Sequence, residues 1–163
     1  MRTADFDFIL PEERVAQHPI EPRDAARLLS IGQELSHRII ADLPEILRPG
    51  DLLVVNDTRV IPAHLIGKRG EAAISLNLIK PLKGSEWLAL ARPAKKLKPG
   101  DIVNFAPDFS AHIVERQEGE VKLDFALSPE ELAQKLVRYG HTPLPPYIKR
   151  GKEGEEATDR ERY

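Results

Sequence analysis

Four polar side chains of different chemistry follow an apolar run in the middle of the chain. Residues 52–55 are all apolar, and Asn56, Asp57, Thr58 and Arg59 come directly after them. A carboxylate can act as a general base, and its neighbours can bind a polar ligand. Because open α/β sheets bind ligands at the carboxyl ends of buried strands, the pattern predicts a site here. An Asx turn that ends the strand is the structural alternative.

A second group of polar residues lies near the N-terminus, in a loop stiffened by prolines. The loop carries His18, Arg23 and Asp24. Imidazole titrates near neutral pH, which makes His18 a candidate acid or base. Arg23, like Arg59, can bind a phosphate or carboxylate through two parallel hydrogen bonds. A loop histidine without a catalytic part, and pairing of these arginines with Asp24 or Asp57, are the alternatives.

A third group follows a proline-rich stretch near residue 145. Tyr147 can stack on a base, and Lys149 and Arg150 can hold phosphate. The alternative is a proline-rich connector with no contact to a ligand.

The middle of the chain is basic. Residues 64–110 contain 8 Lys and Arg against 4 Asp and Glu, a net charge of +4, and Lys95, Lys96 and Lys98 lie at its centre. Such a segment can contact phosphates of a nucleic acid. A solvated strand face is the alternative.

The elements that must position these groups can be predicted from pattern and turn residues. Residues 52–55 lack polar alternation, which indicates a strand covered on both faces, and the turn at Gly50 opens it. Leu47-Arg48-Pro49-Gly50-Asp51-Leu52 resembles Leu97-Lys98-Pro99-Gly100-Asp101-Ile102. We interpret this as one kind of turn used twice.

Short segments separated by turn residues follow and predict a small antiparallel barrel. The predicted strands are residues 64–68, 73–82, 86–92, 101–105, 111–116 and 121–125. A capping box at Ser128 predicts a helix that ends at Gly140. Residues 27–31 and 35–40 are predicted to form a strand pair.

The composition limits the chemistry. The chain of 163 residues has no cysteine, which excludes disulfides and cysteine-based nucleophiles or metal sites and fits a reducing compartment. No apolar run has the length of a signal peptide core or a membrane span. We therefore expect a cytoplasmic protein without a membrane partner.

Several motifs occur together and in order along the chain. It resembles the family of S-adenosylmethionine:tRNA ribosyltransferase-isomerases, the enzymes of queuosine biosynthesis. The matching stretches are Asp5-Phe6-Asp7-Phe8, Leu10-Pro11, Ala16-Gln17-His18-Pro19, Glu21-Pro22-Arg23-Asp24-Ala25, Val54-Val55-Asn56-Asp57-Thr58-Arg59-Val60-Ile61-Pro62-Ala63, Leu144-Pro145-Pro146-Tyr147-Ile148 and Asp159-Arg160-Glu161-Arg162-Tyr163.

The resemblance implies a larger α/β domain, only partly present here, with an inserted antiparallel β-barrel of about six strands. It implies transfer and isomerisation of the ribosyl group of S-adenosylmethionine, a consumed cosubstrate, onto 7-aminomethyl-7-deazaguanine at the wobble position of tRNA. Epoxyqueuosine-tRNA forms, and adenine and methionine leave. No metal is implied, and we expect a monomer.

Given this reaction, the candidate residues can be assigned expected roles. Asp57 and His18 are the candidates for acid and base catalysis. We expect two binding sets: Asn56, Thr58, Arg59, Arg23, Asp24, Tyr147, Lys149 and Arg150 for substrate, and Lys95, Lys96 and Lys98 for tRNA.

The family continues beyond the last residue of this chain, so we interpret the chain as a fragment that cannot catalyse the reaction alone. The predicted division is residues 1–62 for the larger domain, 63–141 for the barrel with its terminal helix, and 142–163 for a return segment. A non-catalytic RNA-binding β-barrel protein is the alternative function. A methyltransferase is disfavoured, because no glycine-rich loop follows a first strand.

Overall fold

The computed structural model describes residues 1–150 and 158–163. The chain forms two compact units: Met1–Asp57 with Pro145–Lys149, called the first unit, and Thr58–Leu144 with Arg150–Tyr163, called the barrel unit. The predicted division at residues 62 and 141 stays a prediction. Residues 151–157 of the predicted return segment lie outside the described residues.

The first unit contains little regular structure. Strands β1 (Arg27–Ile31) and β2 (Leu35–Ile39) form the predicted antiparallel pair, with Arg27 opposite Ile39. Helix α1 (Leu43–Ile46) has a single turn. Three short 3-10 turns at Thr3–Phe6, Glu12–Arg14 and Arg23–Ala25 complete the helical content of its first 25 residues.

Six strands of the barrel unit close into an antiparallel barrel, which confirms the predicted fold of this part. They are β3 (His64–Arg69), β4 (Ala72–Pro81), β5 (Glu86–Arg92), β6 (Ile102–Ala106), β7 (Phe109–Gln117) and β8 (Glu120–Asp124). Their order around the barrel is β3-β4-β5-β8-β7-β6. Each observed strand begins and ends within two residues of its predicted bounds.

The barrel interior is filled by alternate side chains of these strands. In β4 every second residue from Ile74 to Leu78 is buried, while Asn77 is exposed. The largest fully buried side chains are Leu65, Ile74, Leu76, Leu97, Val103, Ile113, Val121 and Leu123, with Asp159 as the charged exception. Burial of each aliphatic side chain stabilises the fold by about 1.5–3 kcal/mol, so this core holds the unit together.

Helix α2 (Pro129–Tyr139) covers part of the core. The predicted capping box is confirmed: the Glu131 amide donates to Ser128 Oγ at 3.3 Å, and the Ser128 amide donates to Glu131 Oε2 at 2.9 Å. Leu132 and Leu136 are buried on its inner face. The helix ends where predicted, because Gly140 is extended and leaves the helical path.

The two ends of the barrel segment lie side by side at a feature we call the neck, residues 62–64 and 140–142. The His64 amide donates to the His141 carbonyl at 3.1 Å, and the His141 amide donates to the His64 carbonyl at 2.8 Å. A Cβ atom on Gly140 would lie 2.1 Å from the Pro62 carbonyl oxygen. Only glycine fits at this close approach.

The buried strand predicted at residues 52–55 does not form within this chain. Residues 51–63 contain no helix or strand, and the four apolar side chains are 87, 54, 82 and 69% exposed. The physical reason is the lack of a neighbour: β1 and β2 pair only with each other in the first unit. An apolar run forms a central strand only where other strands accept its backbone hydrogen bonds.

Candidate functional site

Two segments about 130 positions apart in the sequence meet at the side chain of Gln17. Its amide nitrogen Nε2 donates to the carbonyl oxygen of Tyr147 at 3.1 Å, and its Oε1 accepts from the backbone amide of Lys149 at 2.6 Å. Nε2 also donates to the Val15 carbonyl at 3.3 Å. The carboxamide therefore connects the N-terminal segment to the segment after the prolines.

A cleft of about 600 Å³ lies where these segments meet, entirely within the first unit. It is lined by Glu12, Glu13, Val15, Gln17, His18, Tyr147 and Lys149. The structure thus brings together three of the predicted site residues: His18, Tyr147 and Lys149. An imidazole, a phenol ring and an ammonium group around one cleft can stack on a base, hold a phosphate and transfer a proton.

The lysine of the cleft carries a weak ion pair. Lys149 Nζ lies 3.1 Å from Glu12 Oε2, and the two side chains are 70 and 88% exposed. Ion pairs this exposed contribute about 0–1 kcal/mol, since water screens them. A phosphate group can therefore replace Glu12 at little cost.

The residues Asn56, Asp57, Thr58 and Arg59 lie in the irregular segment and are exposed. The boundary between the two units falls between Asp57 and Thr58. Their roles stay predictions, since the strand expected to present them does not form. Arg23 and Asp24 are also exposed, in a 3-10 turn that begins after the cis Glu21–Pro22 bond.

Arg150 makes a buried ion pair. Its Nε donates to Asp159 Oδ2 at 2.9 Å and its Nη2 donates to Asp159 Oδ1 at 2.7 Å, with side chains 6 and 1% exposed. Removing one partner of such a pair leaves an uncompensated buried charge, which is strongly destabilising. Arg160 lies beside Asp159 in the sequence, and its guanidinium donates to the carbonyls of Val137 and Gly140 at the end of α2.

Lys95, Lys96 and Lys98 lie together on the connection between β5 and β6. The first two belong to a 3-10 turn, Ala94–Lys96, and all three are exposed. No salt bridge involves them among the residues that the structure describes. They form a cationic patch that we call the lysine turn.

One carboxylate of the barrel unit, Asp108, has a lowered pKa for a structural reason. Hydrogen bonds from Lys135 and Tyr139 lower the pKa of Asp108 from 3.8 to about 2. The Tyr139 hydroxyl donates at 2.7 Å, and the bond to Asp108 in turn raises the pKa of the phenol. These contacts connect the β6–β7 turn to α2, so we assign them to stability.

Two other features are absent from residues 1–150 and 158–163. No group of three or more histidine or acidic side chains there is arranged to hold a metal ion. Nor is any helix in that part of the chain long and apolar enough to cross a membrane.

The comparison with protein families decides which of the sequence interpretations applies. Residues 3–163 match the model of the family described as queuosine biosynthesis protein. The chain belongs to this family. The resemblance predicted from the motifs is thereby confirmed.

Relatives within the queuosine biosynthesis protein family match nearly the whole chain. The S-adenosylmethionine:tRNA ribosyltransferase-isomerase of Azorhizobium caulinodans is 49% identical over 175 residues, which cover 98% of this chain and 49% of the relative. The protein of the same name from Erythrobacter litoralis is 47% identical over 166 residues, covering 100% of this chain and 47% of the relative. The chain spans about half the length of the curated relatives it matches.

A solved structure is also similar in sequence. The crystal structure of S-adenosylmethionine tRNA ribosyltransferase from Thermotoga maritima is 40% identical, with a TM-score of 0.43. The match covers 83% of this chain and 48% of the other.

Two residues that organise the described structure were absent from the predicted site. Gln17 lies inside the family motif Ala16-Gln17-His18-Pro19, and Asp159 opens the last motif of the chain. The motifs themselves were the signal available in the sequence. Neither residue type nor spacing indicates that Gln17 contacts residues 147–149 or that Asp159 is buried.

Proposed function

We propose that this chain takes part in transferring and isomerising the ribosyl group of S-adenosylmethionine onto 7-aminomethyl-7-deazaguanine at the wobble position of tRNA. The products are epoxyqueuosine-tRNA, adenine and methionine. The observation that carries this proposal is the identity of 45–49% to relatives named S-adenosylmethionine:tRNA ribosyltransferase-isomerase. That identity extends over 98–100% of the chain in these three cases.

The reaction needs a base, a proton donor and groups that hold the cosubstrate. The sulfonium of S-adenosylmethionine acidifies the 5′ carbon of the ribose, so a carboxylate such as Asp57 can remove a proton there. Departure of adenine is assisted by a proton donor at its ring nitrogens, a role we assign to His18. We assign Asn56 and Thr58 to the ribose hydroxyls.

The arginines and Asp24 complete the proposed set for the cosubstrate. Arg23 and Arg59 can each bind the methionine carboxylate through two parallel hydrogen bonds. Asp24 neighbours Arg23 in the same 3-10 turn and can orient its guanidinium. No metal is required for any of these roles.

We assign the cleft of the first unit to the target nucleotide of the tRNA. Its volume of about 600 Å³ lies within the usual range of small-molecule pockets. Tyr147 is 58% exposed, which leaves its ring available for stacking on a base. Lys149 would hold an adjacent phosphate, whereas Arg150 can reach one only if Asp159 releases it.

The lysine turn is the proposed contact with the tRNA backbone. Three exposed ammonium groups within four positions provide the local charge density that attracts phosphates. A tRNA substrate is consistent with a cytoplasmic location. We further propose that the protein acts as a monomer, which sedimentation of the full-length protein will test.

The test is an assay of the full-length protein with S-adenosylmethionine labelled in its adenine and methyl groups. Release of labelled adenine that depends on tRNA carrying 7-aminomethyl-7-deazaguanine supports the proposal. Methyl transfer to the tRNA would identify a methyltransferase instead. Tight tRNA binding with neither product would favour a non-catalytic RNA-binding protein.

A further inference from the structure

We propose that Gln17 is a positioning residue: its carboxamide holds the backbone of residues 147–149 so that Tyr147 and Lys149 present their side chains to the tRNA. The inference rests on the proposed function, which assigns the target nucleotide to this cleft. In this assignment Gln17 contacts neither S-adenosylmethionine nor the tRNA. It acts through Tyr147 and Lys149.

The hydrogen bonds of Gln17 match its chemistry in both directions. Nε2 donates to the Tyr147 carbonyl, and Oε1 accepts from the Lys149 amide. Among neutral side chains of this length, only glutamine supplies both a strong donor and a strong acceptor. The carboxamide therefore satisfies a backbone carbonyl and a backbone amide two residues apart in the same segment.

The residue that holds the backbone and the residues that would contact the tRNA differ in exposure. Gln17 is half-buried, whereas Tyr147 is 58% exposed and the Lys149 side chain is 70% exposed. The backbone is thus fixed from one side, and the groups that can contact a base and a phosphate stay accessible.

The segment has no regular secondary structure of its own to fix its course. Residues 145–149 form no helix or strand, and a turn hydrogen bond from the Ile148 amide to the Pro145 carbonyl at 3.0 Å orders them locally. The side-chain contact from Lys149 to Glu12 is exposed and weak. Without Gln17, ordering the segment on binding would cost conformational entropy at that moment.

The first experiment measures steady-state kinetics of Gln17→Ala in the full-length protein. We expect KM for tRNA carrying 7-aminomethyl-7-deazaguanine to rise about tenfold, the effect of losing one or two hydrogen bonds. KM for S-adenosylmethionine and kcat should change less than about twofold, since the chemical groups stay in place. Gln33→Ala, an exposed glutamine in the loop between β1 and β2, is the matched control.

A second readout does not depend on activity. In the parent the Lys149 amide donates to Gln17 Oε1, so its hydrogen exchange should accelerate in Gln17→Ala, while amides of Ala89 and Leu123 in the barrel should not change. Faster exchange throughout both units would mean general unfolding. The Gln17→Glu variant then replaces Gln17→Ala as the test.

Gln17→Glu keeps the acceptor for the Lys149 amide and removes the donor to the Tyr147 carbonyl. KM for the tRNA should rise at neutral pH, relative to the parent at the same pH. The ratio of the variant's KM to the parent's KM should fall again as pH approaches the ordinary glutamate pKa of about 4.3. The protonated carboxyl then regains a donor for the Tyr147 carbonyl.

The outcomes separate this inference from the proposed function. An unchanged KM for tRNA in a folded Gln17→Ala protein, with unchanged exchange at Lys149, overturns the positioning role. If the parent releases no adenine, the proposed function fails. Accelerated exchange confined to residues 147–149 would then still identify Gln17 as the residue that orders the segment.

Discussion

The chain contains the same turn twice, and only one copy leads into a strand. In the first copy the Arg48 amide donates to Asp51 Oδ2 at 2.8 Å, and Gly50 has φ of 98°. In the second copy the Lys98 amide donates to Asp101 Oδ2, again at 2.8 Å, and Gly100 has φ of 88°.

The residues after the turns differ in environment. Strand β6 follows the second turn, where Ile102 pairs with His112 and Val103 is fully buried. Residues 52–55 follow the first turn, are more apolar in sequence, and stay exposed without a partner strand. Local turn chemistry is therefore encoded in six residues, whereas strand formation depends on neighbours that lie elsewhere in the chain.

The largest expected effect concerns the leucine that opens each turn. Leu97 is fully buried in the barrel, and Leu47 is 38% exposed. Leu97→Ala should lower the free energy of unfolding of the barrel by about 2–5 kcal/mol, since it leaves a cavity. Urea unfolding followed by fluorescence of Trp87, the single tryptophan, measures this. Leu47→Ala should leave the midpoint in place, and equal losses would contradict the comparison.

The next effect concerns two aspartates: Asp57, which follows residues 52–55, and Asp108, which follows strand β6. Asp57→Asn should reduce turnover of the full-length protein at least ~100-fold, the scale of lost acid–base catalysis, with unchanged barrel stability. Asp108→Asn should leave turnover unchanged and lower the stability of the barrel, because Asp108 accepts hydrogen bonds from Lys135 and Tyr139. Near-normal turnover of a folded Asp57→Asn protein would show that Asp57 has no catalytic role and is only structural.

A smaller effect concerns charge at the second turn. Lys95 and Lys96 occupy the positions that Glu45 and Ile46 occupy at the first, so only the second turn is strongly cationic. Replacing Lys95, Lys96 and Lys98 by glutamine should weaken tRNA binding and reduce the salt slope by nearly one unit per lost contact. Affinity for S-adenosylmethionine should not change. An unaltered salt slope would assign the lysines to solvent.

The smallest effect is a pH dependence of barrel stability. The pKa of Asp108 is about 2 in the folded protein against an ordinary 3.8, so the unfolded chain binds the proton more readily between these values. The stabilisation from Asp108 is present above pH 4 and is lost as pH falls toward 2. The stability difference between the parent and Asp108→Asn should therefore shrink over this range. A difference independent of pH would show that ionisation is not its source.

The barrel could be predicted from the sequence because its information is local. Alternation in β4, the turn at Gly100 and the capping box at Ser128 each depend on a few adjacent residues, and all three are confirmed. The family could also be predicted, since its motifs occur in order along the chain.

The cleft could be predicted only in part. His18, Tyr147 and Lys149 were identified by residue type, but their meeting depends on a contact across about 130 positions that no periodicity records. The strand at residues 52–55 failed for a related reason. An apolar run shows that burial would be favourable, and it does not show that a partner is present.

The neck affects how the barrel can diverge during evolution. Because His64 and His141 are hydrogen-bonded partners, their Cα atoms lie about 5.5 Å apart, little more than the span of one residue. A chain that enters the barrel at one histidine and leaves at the other makes almost no net displacement. Hairpins between these points can grow, shrink or be replaced without stretching the residues on either side, so the barrel is free to diverge while its attachment stays fixed.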